Sequence, residues 1–178
     1  MFYIEDKNFL KENQKEWIER TLFTYGSDFP FYLHSSATPG DSCSSLHHVV
    51  IRREEERENN ILRNSKYSIY FEDILKTFCQ KNNITLNEIL RINVNFTYNN
   101  GYEKCPIHLD HDFPHNQLIL YLNDCDKDSK TVVLDDDNKT ILKESIPEKY
   151  KGICFESKPH FHYYPKSGNR VILVCTFK

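Results

Sequence analysis

The chain has 178 residues, 39% hydrophobic and 28% charged, which is enough apolar material for one domain with a buried core. Its 23 lysines and arginines stand against 26 acidic residues, a formal net charge of −3 that offers no overall attraction for nucleic acid or an anionic membrane. We therefore expect no nucleic-acid partner, and no membrane span, because no apolar run approaches the ~20 residues that cross a bilayer.

The cysteines and the first residues indicate the compartment. The six cysteines are scattered without a CxxC pair, which argues against a zinc ribbon or a redox motif. They are Cys43, Cys79, Cys105, Cys125, Cys154 and Cys175. No apolar segment follows a basic start, so the sequence predicts no signal peptide. The expectation is a cytoplasmic protein with reduced thiols.

The first half of the chain carries mainly helix-like patterns. Residues 1–25 place apolar side chains at helical spacing and predict one amphipathic helix. Phe29–Leu33 predicts a short extended segment, followed by a polar loop at Ser35–Ser45. The charge run Arg52–Asn60 predicts a solvated helix face or loop, and Tyr67–Gln80 predicts a helix with one buried face.

From Arg91 onward the pattern becomes that of strands. Arg91–Tyr98 alternates apolar with polar residues and predicts a half-buried strand. Just before it, Thr85 and Glu88 fit a capping box and predict a short helical turn. Asp135–Asn138 predicts a hairpin turn rather than a metal site. Further predicted strands are Gln117–Leu122, Thr131–Leu134, Lys139–Lys143, Gly152–Glu156 and Arg170–Phe177.

Helices followed by strands predict an α+β fold, with residues 1–178 forming a single domain. A helical part, about 1–90, would buttress a core at about 91–178. Seven or eight short strands in that second half would close as a double-stranded β-helix, the jelly roll of antiparallel strands.

His108-Leu109-Asp110 carries the clearest functional pattern. In a strand, side chains two residues apart point to the same face, so both could bind one metal ion. With a distal histidine, His160, from another strand, the set suits a non-haem Fe(II) centre that keeps positions open for a co-substrate and O₂. Arg170, ten residues after His160, could clamp the far carboxylate of a 2-oxo acid through its planar guanidinium.

A longer series of spaced residues surrounds this motif. It comprises Tyr98, His108, Asp110, Leu120-Tyr121-Leu122-Asn123, Thr131, Phe155, Pro159-His160, Pro165, Gly168 and Arg170. The series resembles the 2-oxoglutarate/Fe(II)-dependent dioxygenases, and among them the prolyl-4-hydroxylase-like proteins of the small type found in phages and bacteria. The resemblance covers about Arg91–Phe177, and a looser similarity extends upstream to Phe29–Tyr32.

This resemblance implies both a reaction and roles for individual residues. The reaction is hydroxylation that consumes 2-oxoglutarate and O₂ at Fe(II), with ascorbate as a further cofactor and a protein side chain such as proline, or a small molecule, as substrate. The implied iron ligands are His108, Asp110 and His160, and the residues implied to bind or face 2-oxoglutarate are Arg170, Tyr98, Tyr121 and Thr131.

Alternatives remain for two of the three ligands. His162 lies two residues after His160 and could share its face, although only His160 has the Arg at the spacing of similar proteins. Asp112 could replace Asp110. The remaining histidines are expected in non-ligand positions. His111 and His115 are expected in a polar loop at the barrel mouth, and His34, His47 and His48 at the surface or in a substrate loop.

Three other functions also fit the sequence. One is a jelly-roll binding module that has lost its metal and its activity. Another is a cupin-type enzyme that uses zinc or manganese with three histidines, which the carboxylate of Asp110 and the presence of Arg170 argue against. The third is a nucleobase-directed oxygenase of the same fold, which the lack of a basic excess disfavours.

Overall fold

The computed structural model describes residues 2–36, 44–60 and 62–178. Its strands are β1 (Tyr3–Asp6), β2 (Tyr32–His34), β3 (Ser45–Ile51), β4 (Ile89–Tyr98), β5 (Asn116–Tyr121), β6 (Thr131–Leu134), β7 (Ile141–Ser145), β8 (Gly152–Glu156), β9 (His160–His162) and β10 (Asn169–Phe177). Its helices are α1 (Glu12–Ile18), continued by a π-helical turn at Glu19–Phe23, and α2 (Ser68–Lys81), with 3₁₀ turns at Glu54–Glu56 and Glu58–Asn60.

Within the described ranges these strands form two antiparallel sheets. The major sheet has seven strands in the order β1-β8-β5-β10-β4-β3-β2, and the minor sheet has three in the order β7-β6-β9. Side chains from β4, β5 and β10 of the major sheet and from β6 and β9 of the minor sheet line one cavity. The predicted antiparallel jelly roll is therefore confirmed, with the cavity between its two sheets.

The main hydrophobic core covers the outer face of the major sheet. On α2, Phe71, Ile74, Leu75 and Phe78 recur at helical spacing and are fully buried. They pack with apolar side chains of the sheet, among them Ile92, Val94, Leu118, Leu120, Cys154, Val171 and Leu173. This packing places α2 on the face of the sheet opposite the cavity.

The N-terminal part departs from the prediction, because it contributes strands as well as helices. Residues 1–25 do not form one helix, since Tyr3–Asp6 pairs with the free edge of β8 and only then does α1 begin. β2 and β3 extend the major sheet beyond β4, so the region before residue 90 is not simply a helical buttress. Of the predicted polar loop, residues 37–43, with Cys43, lie outside the described residues.

The predicted helical turn at Thr85–Glu88 is wrong. This segment has no regular secondary structure and lies beside the last residue: the backbone N–H groups of Asn87 and Glu88 donate to the carbonyl oxygen of Lys178 at 2.6 and 3.0 Å. The capping pattern is outweighed because this pairing already satisfies the Glu88 N–H group that the cap would have bonded. The predicted strands from β4 to β8 and β10, the α2 helix and the Asp135–Asn138 turn are confirmed to within a few residues.

Two further features concern the cysteines and the helices. Of the cysteines that the structure describes, all five are free thiols. In the same part of the chain, no helix has the length and apolar character needed to cross a membrane.

Candidate metal centre

His108 and His160 come from distant parts of the chain and are joined through their backbones. His108 lies in the loop between β4 and β5, and His160 begins β9. Each backbone N–H donates to the carbonyl oxygen of the other residue, at 3.1 and 3.0 Å. The two imidazole rings lie with their centroids 4.4 Å apart. The antiparallel bridge therefore places both rings side by side in the cavity.

Hydrogen bonds to the backbone select the nitrogen that each ring presents. Nδ1 of His108 lies 2.9 Å from the carbonyl oxygen of Pro106, and Nδ1 of His160 lies 3.1 Å from that of Lys158. A carbonyl can only accept, so Nδ1 carries the proton in each ring and Nε2 keeps its lone pair when the ring is neutral. Gln117 adds a contact between its Nε2 and Nε2 of His160 at 3.1 Å.

Asp110 completes a group of three candidate ligands. Its Oδ2 lies 3.8 Å from Nε2 of His160, and the side chain is buried. One ligand atom from each of His108, Asp110 and His160 lies within 4.8 Å of the others. Two imidazole nitrogens and one carboxylate oxygen form the donor set of non-haem Fe(II) centres.

Two of these three side chains have the protonation state that a metal requires. Burial raises the pKa of Asp110, but the charges of His160 and Arg91 outweigh it and lower the pKa to about 2. Burial, with the charge of His108, lowers the pKa of His160 to about 4. Near neutral pH these groups are a carboxylate and a neutral imidazole, the forms that bind metals.

His108 has the opposite shift. Burial lowers its pKa, but the hydrogen bond to Cys105 and the charge of Asp110 outweigh burial and raise the pKa above its usual value. The same contact, together with the charge of His162, lowers the pKa of the Cys105 thiol although burial raises it. A metal ion that binds His108 must therefore displace a proton.

Arg170 lies farther along the same cavity and is 1% exposed. Its Nη2 donates to Oγ1 of Thr131 at 2.9 Å, and the hydroxyl of Tyr121 donates to the same oxygen at 2.8 Å. The guanidinium carbon lies 5.5 Å from the centre of the Tyr121 ring. The structure thus brings together three of the four residues predicted to contact a co-substrate.

Three buried side-chain nitrogens of Arg170 and His162 have no hydrogen-bond partner in the described part of the chain. They are Nε and Nη1 of Arg170 and Nε2 of His162. An unpaired buried donor costs about 1–3 kcal/mol, and more when it is charged. A guanidinium with unpaired N–H groups in a cavity is a suitable partner for a carboxylate.

The cavity that connects these groups has a volume of about 60 Å³. One wall is apolar and is formed by Ile119, Ile172 and Val174. β4 forms an adjoining polar wall with Arg91, Asn95 and Thr97. The apolar wall lies on β5 and β10, beside the strand position of Arg170.

Tyr98 is not brought to this cavity. Its hydroxyl lies 3.2 Å from Oγ of Ser44, and Tyr98 is opposite Asn169 in the strand pairing. The residue opposite Arg170 is Thr97, and directly opposed residues share a face of the sheet. The ten-residue spacing before His108 therefore pointed to Tyr98, whereas the side chain that faces the cavity is that of its neighbour, Thr97.

The ligand alternatives occupy different places. His162 lies in the same cavity but contacts Sγ of Cys105 through Nδ1 at 3.1 Å and is not in the three-residue group. Burial lowers the pKa of His162, although Cys105 acts to raise it. Asp112 is exposed in the loop.

The predicted positions of His47 and His48 are wrong, whereas His34 is exposed as predicted. His47 and His48 are buried in β3, because this strand lies inside the sheet between β2 and β4. His47 lines the cavity, with Nδ1 at 3.1 Å from Nδ2 of Asn93. His111 and His115 lie in the expected loop but are buried, and His111 contacts the hydroxyl of Thr176 at 2.8 Å.

The polar cavity residues that sequence reasoning missed include Arg91, Asn95, Thr97, Cys105 and Gln117. The polar positions of β4 were visible as an alternation, but an alternation does not tell whether its polar face meets solvent or a cavity. Cys105 and Gln117 carry no pattern of their own that would have singled them out.

No protein-family model matches the sequence, and no curated protein matches it either. Solved structures do match its fold. A 2OG-Fe(II) oxygenase family oxidoreductase from Burkholderia pseudomallei has a TM-score of 0.66 at 16% identity over 85% of this chain and 74% of that one. A Pseudomonas putida prolyl-4-hydroxylase has a TM-score of 0.58 at 15% identity over 99% and 92% of the two chains.

A third structure is a prolyl hydroxylase from Trichoplax adhaerens in complex with a peptide fragment of the hypoxia inducible factor oxygen degradation domain. It has a TM-score of 0.61 at 15% identity over 98% of this chain and 83% of that one. At such low identity the likeness shows the fold. The resemblance inferred from the spaced motifs is confirmed at that level: the chain has the fold of the 2-oxoglutarate/Fe(II) oxygenases, including prolyl hydroxylases.

Proposed function

We propose that this protein is an enzyme that hydroxylates its substrate with 2-oxoglutarate and O₂ at a non-haem Fe(II) centre. The proposal rests on the side chains that line one cavity. Three metal-binding side chains converge at one position, and a buried arginine with unpaired N–H groups lies farther along the same cavity. This combination fits a metal together with a bidentate organic acid, on a fold shared with enzymes of that kind.

His108, Asp110 and His160 would hold the iron. The residues present fit it, because both imidazoles have Nδ1 bonded to backbone carbonyls and Asp110 is the buried carboxylate beside them. Bound Fe(II) would supply the activation of O₂ that converts 2-oxoglutarate to succinate and CO₂ and oxidises the substrate. The protein's own part is to orient the ligands through these backbone hydrogen bonds.

Arg170 would bind the far carboxylate of 2-oxoglutarate. Its Nη2 is already fixed by Thr131, and Tyr121 fixes Thr131 in turn, so the guanidinium keeps one orientation. Nε and Nη1 stay available for the carboxylate. His162, with Nε2 unpaired in the same cavity, is a second polar group for this acid. Ile119, Ile172 and Val174 would exclude water along the bound chain.

The substrate that we propose is a protein side chain such as proline, or a small molecule. The prolyl hydroxylases of similar fold support the first choice, and one of them was solved with a bound peptide. Ascorbate would keep the metal reduced in turnovers that do not oxidise substrate. The free thiols agree with a cytoplasmic location, which we also propose.

The test is release of succinate from 2-oxoglutarate by the purified protein with Fe(II), O₂ and ascorbate, alone and with panels of proline-containing peptides and small molecules. We expect slow succinate release without substrate and faster release with the correct one. Asp110→Ala should abolish it, while Asp112→Ala, a matched change at an exposed carboxylate two residues away, should not. Absence of succinate and of 2-oxoglutarate binding would favour the jelly-roll binding module instead.

A further inference from the structure

The two carboxylate oxygens of Asp110 face different groups. Oδ2 lies 3.8 Å from Nε2 of His160, another of the three candidate ligands. Oδ1 lies 3.3 Å from Nη1 of Arg91 and 3.5 Å from Nη2 of Arg53. Both arginines therefore contact the same oxygen.

Arg91 lies within the major sheet, and Arg53 lies just beyond one of its strands. Arg91 belongs to β4 and lies opposite Thr176 of β10. Arg53 follows β3 by two residues, where Ile51 of that strand pairs with Ile92. Their side chains are 17% and 26% exposed, so solvent screens their contacts with Asp110 only in part.

Asp110 itself lies in a loop, where a carboxylate is free to turn unless its neighbours hold it. Two guanidinium groups on Oδ1 fix the carboxylate plane and leave Oδ2 for the cavity. We infer that Arg91 and Arg53 are positioning residues, which present a single oxygen of Asp110 to the metal. The inference rests on the metal centre of the proposed function and adds to it the two residues that orient its carboxylate.

Charge and orientation predict opposite effects of removing an arginine. A guanidinium repels a divalent cation, so removing its charge alone would tighten metal binding. Removing a group that orients a metal ligand weakens binding, typically by about 10- to 100-fold. The sign of the change therefore separates positioning from a merely electrostatic contact.

The experiment is a titration of the full-length protein with Co(II), followed by calorimetry and by the visible absorption of the bound ion. We expect Arg91→Met to weaken Co(II) binding by about 10- to 100-fold and to change the absorption spectrum. Arg91→Lys, which keeps a donor, should recover part of the affinity. Arg52→Met is the matched control, because Arg52 precedes Arg53 but pairs with Glu58 and not with Asp110, and it should keep the parent's spectrum and affinity.

Arg53→Met repeats the test from β3, with circular dichroism as the check that each variant folds, and it should weaken binding in the same direction. Unchanged or tighter Co(II) binding by the folded Arg91 and Arg53 variants would overturn the positioning role while leaving the metal centre intact. A parent protein that does not bind Co(II) would contradict the metal centre itself, and this inference with it.

Discussion

His160 and His162 differ in what their nitrogens contact, although both face the same cavity. His160 belongs to the group with His108 and Asp110, whereas His162 contacts Cys105. We therefore expect His160→Ala to abolish Co(II) binding and succinate release. His162→Ala should keep Co(II) binding and should weaken that of 2-oxoglutarate. Calorimetric titration of both variants with each ligand checks this, and the reverse pattern would make His162 the distal ligand.

Arg170 is proposed to act through its planar shape as well as its charge. Arg170→Lys keeps the charge but loses the paired N–H groups, and a hydrogen bond to a charged group is worth roughly 1.5–3 kcal/mol. The KM for 2-oxoglutarate should rise by about ten- to a hundredfold, with Co(II) affinity unchanged because Arg170 is not a ligand. Steady-state succinate release measures the first and titration the second. Equal KM values for variant and parent would remove Arg170 from the co-substrate site.

The motifs predicted that Tyr121 and Tyr98 both contact 2-oxoglutarate, but the structure predicts different effects of changing them. Tyr121 donates to Thr131, which fixes Arg170, whereas Tyr98 contacts Ser44 on the other face of β4. Tyr121→Phe removes a neutral hydrogen bond worth about 0.5–1.5 kcal/mol, so the KM for 2-oxoglutarate should rise by roughly two- to tenfold. Tyr98→Phe should leave that KM unchanged, and an equal rise in both variants would contradict the strand register.

At the scale of the elements, β8 packs closely against the N-terminal segment and α2. A Cβ added to Gly152 would lie 2.9 Å from a ring carbon of Phe9 and 3.0 Å from one of Phe78. Overpacking of this kind costs about 1–3 kcal/mol, so Gly152→Ala should lower the free energy of unfolding by that amount. Phe9→Leu should relieve part of the cost when combined with it, as a double-mutant cycle in urea would show. Simple additivity would contradict the contact.

α2 is also tied to the chain beside β3 by an ion pair. Nε and Nη2 of Arg63 donate to the two carboxylate oxygens of Glu72 at 2.7 and 3.0 Å. These hydrogen bonds lower the pKa of Glu72, against the effect of burial. A carboxyl group with a lowered pKa in the folded state stabilises the fold above its unfolded pKa of about 4.3, and this stability is lost as the pH falls through the folded value.

Glu72→Gln should therefore lower the melting temperature near pH 7, and the difference from the parent should narrow below about pH 4. Thermal unfolding across this pH range measures it. Glu12→Gln, which alters an exposed pair with Lys15, should show a much smaller difference throughout. A difference for Glu72→Gln that stays constant with pH would show that the ion pair does not stabilise the fold.

The elements that could be predicted are those with a strong local pattern. The apolar residues of β4 repeat with a period of two and those of α2 with a helical spacing. The predicted bounds of both elements lie within two residues of the observed ones. The short β1 and β3 were missed because their strand structure depends on pairing, β1 with β8 and β3 with β4. The sequence also could not predict which face of β4 lines the cavity, because that depends on α2 packing against the opposite face.

At the scale of the whole molecule, the site exists because the two sheets bring distant segments together. His108 and His160 are 52 residues apart and meet through one backbone bridge, while Arg170 reaches Thr131 across the space between the sheets. The motif spacing predicted the meeting of the three candidate ligands and of Arg170 with Tyr121 and Thr131, but it was wrong for Tyr98. It could not predict Arg53, because nothing in the charge run after β3 distinguishes the arginine that contacts Asp110 from Arg52 and Arg57 in the same run.

The central claim is that one cavity binds a metal at His108, Asp110 and His160 and 2-oxoglutarate at Arg170. The most direct measurement is an anaerobic calorimetric titration of 2-oxoglutarate into the protein with and without Fe(II), using the parent, Asp110→Ala and Arg170→Lys. We predict tight binding to the parent only when Fe(II) is present, no Fe(II)-dependent binding to Asp110→Ala, and Fe(II)-dependent but weaker binding to Arg170→Lys. Binding to the parent that is the same without Fe(II), or that survives unchanged in both variants, would contradict the account.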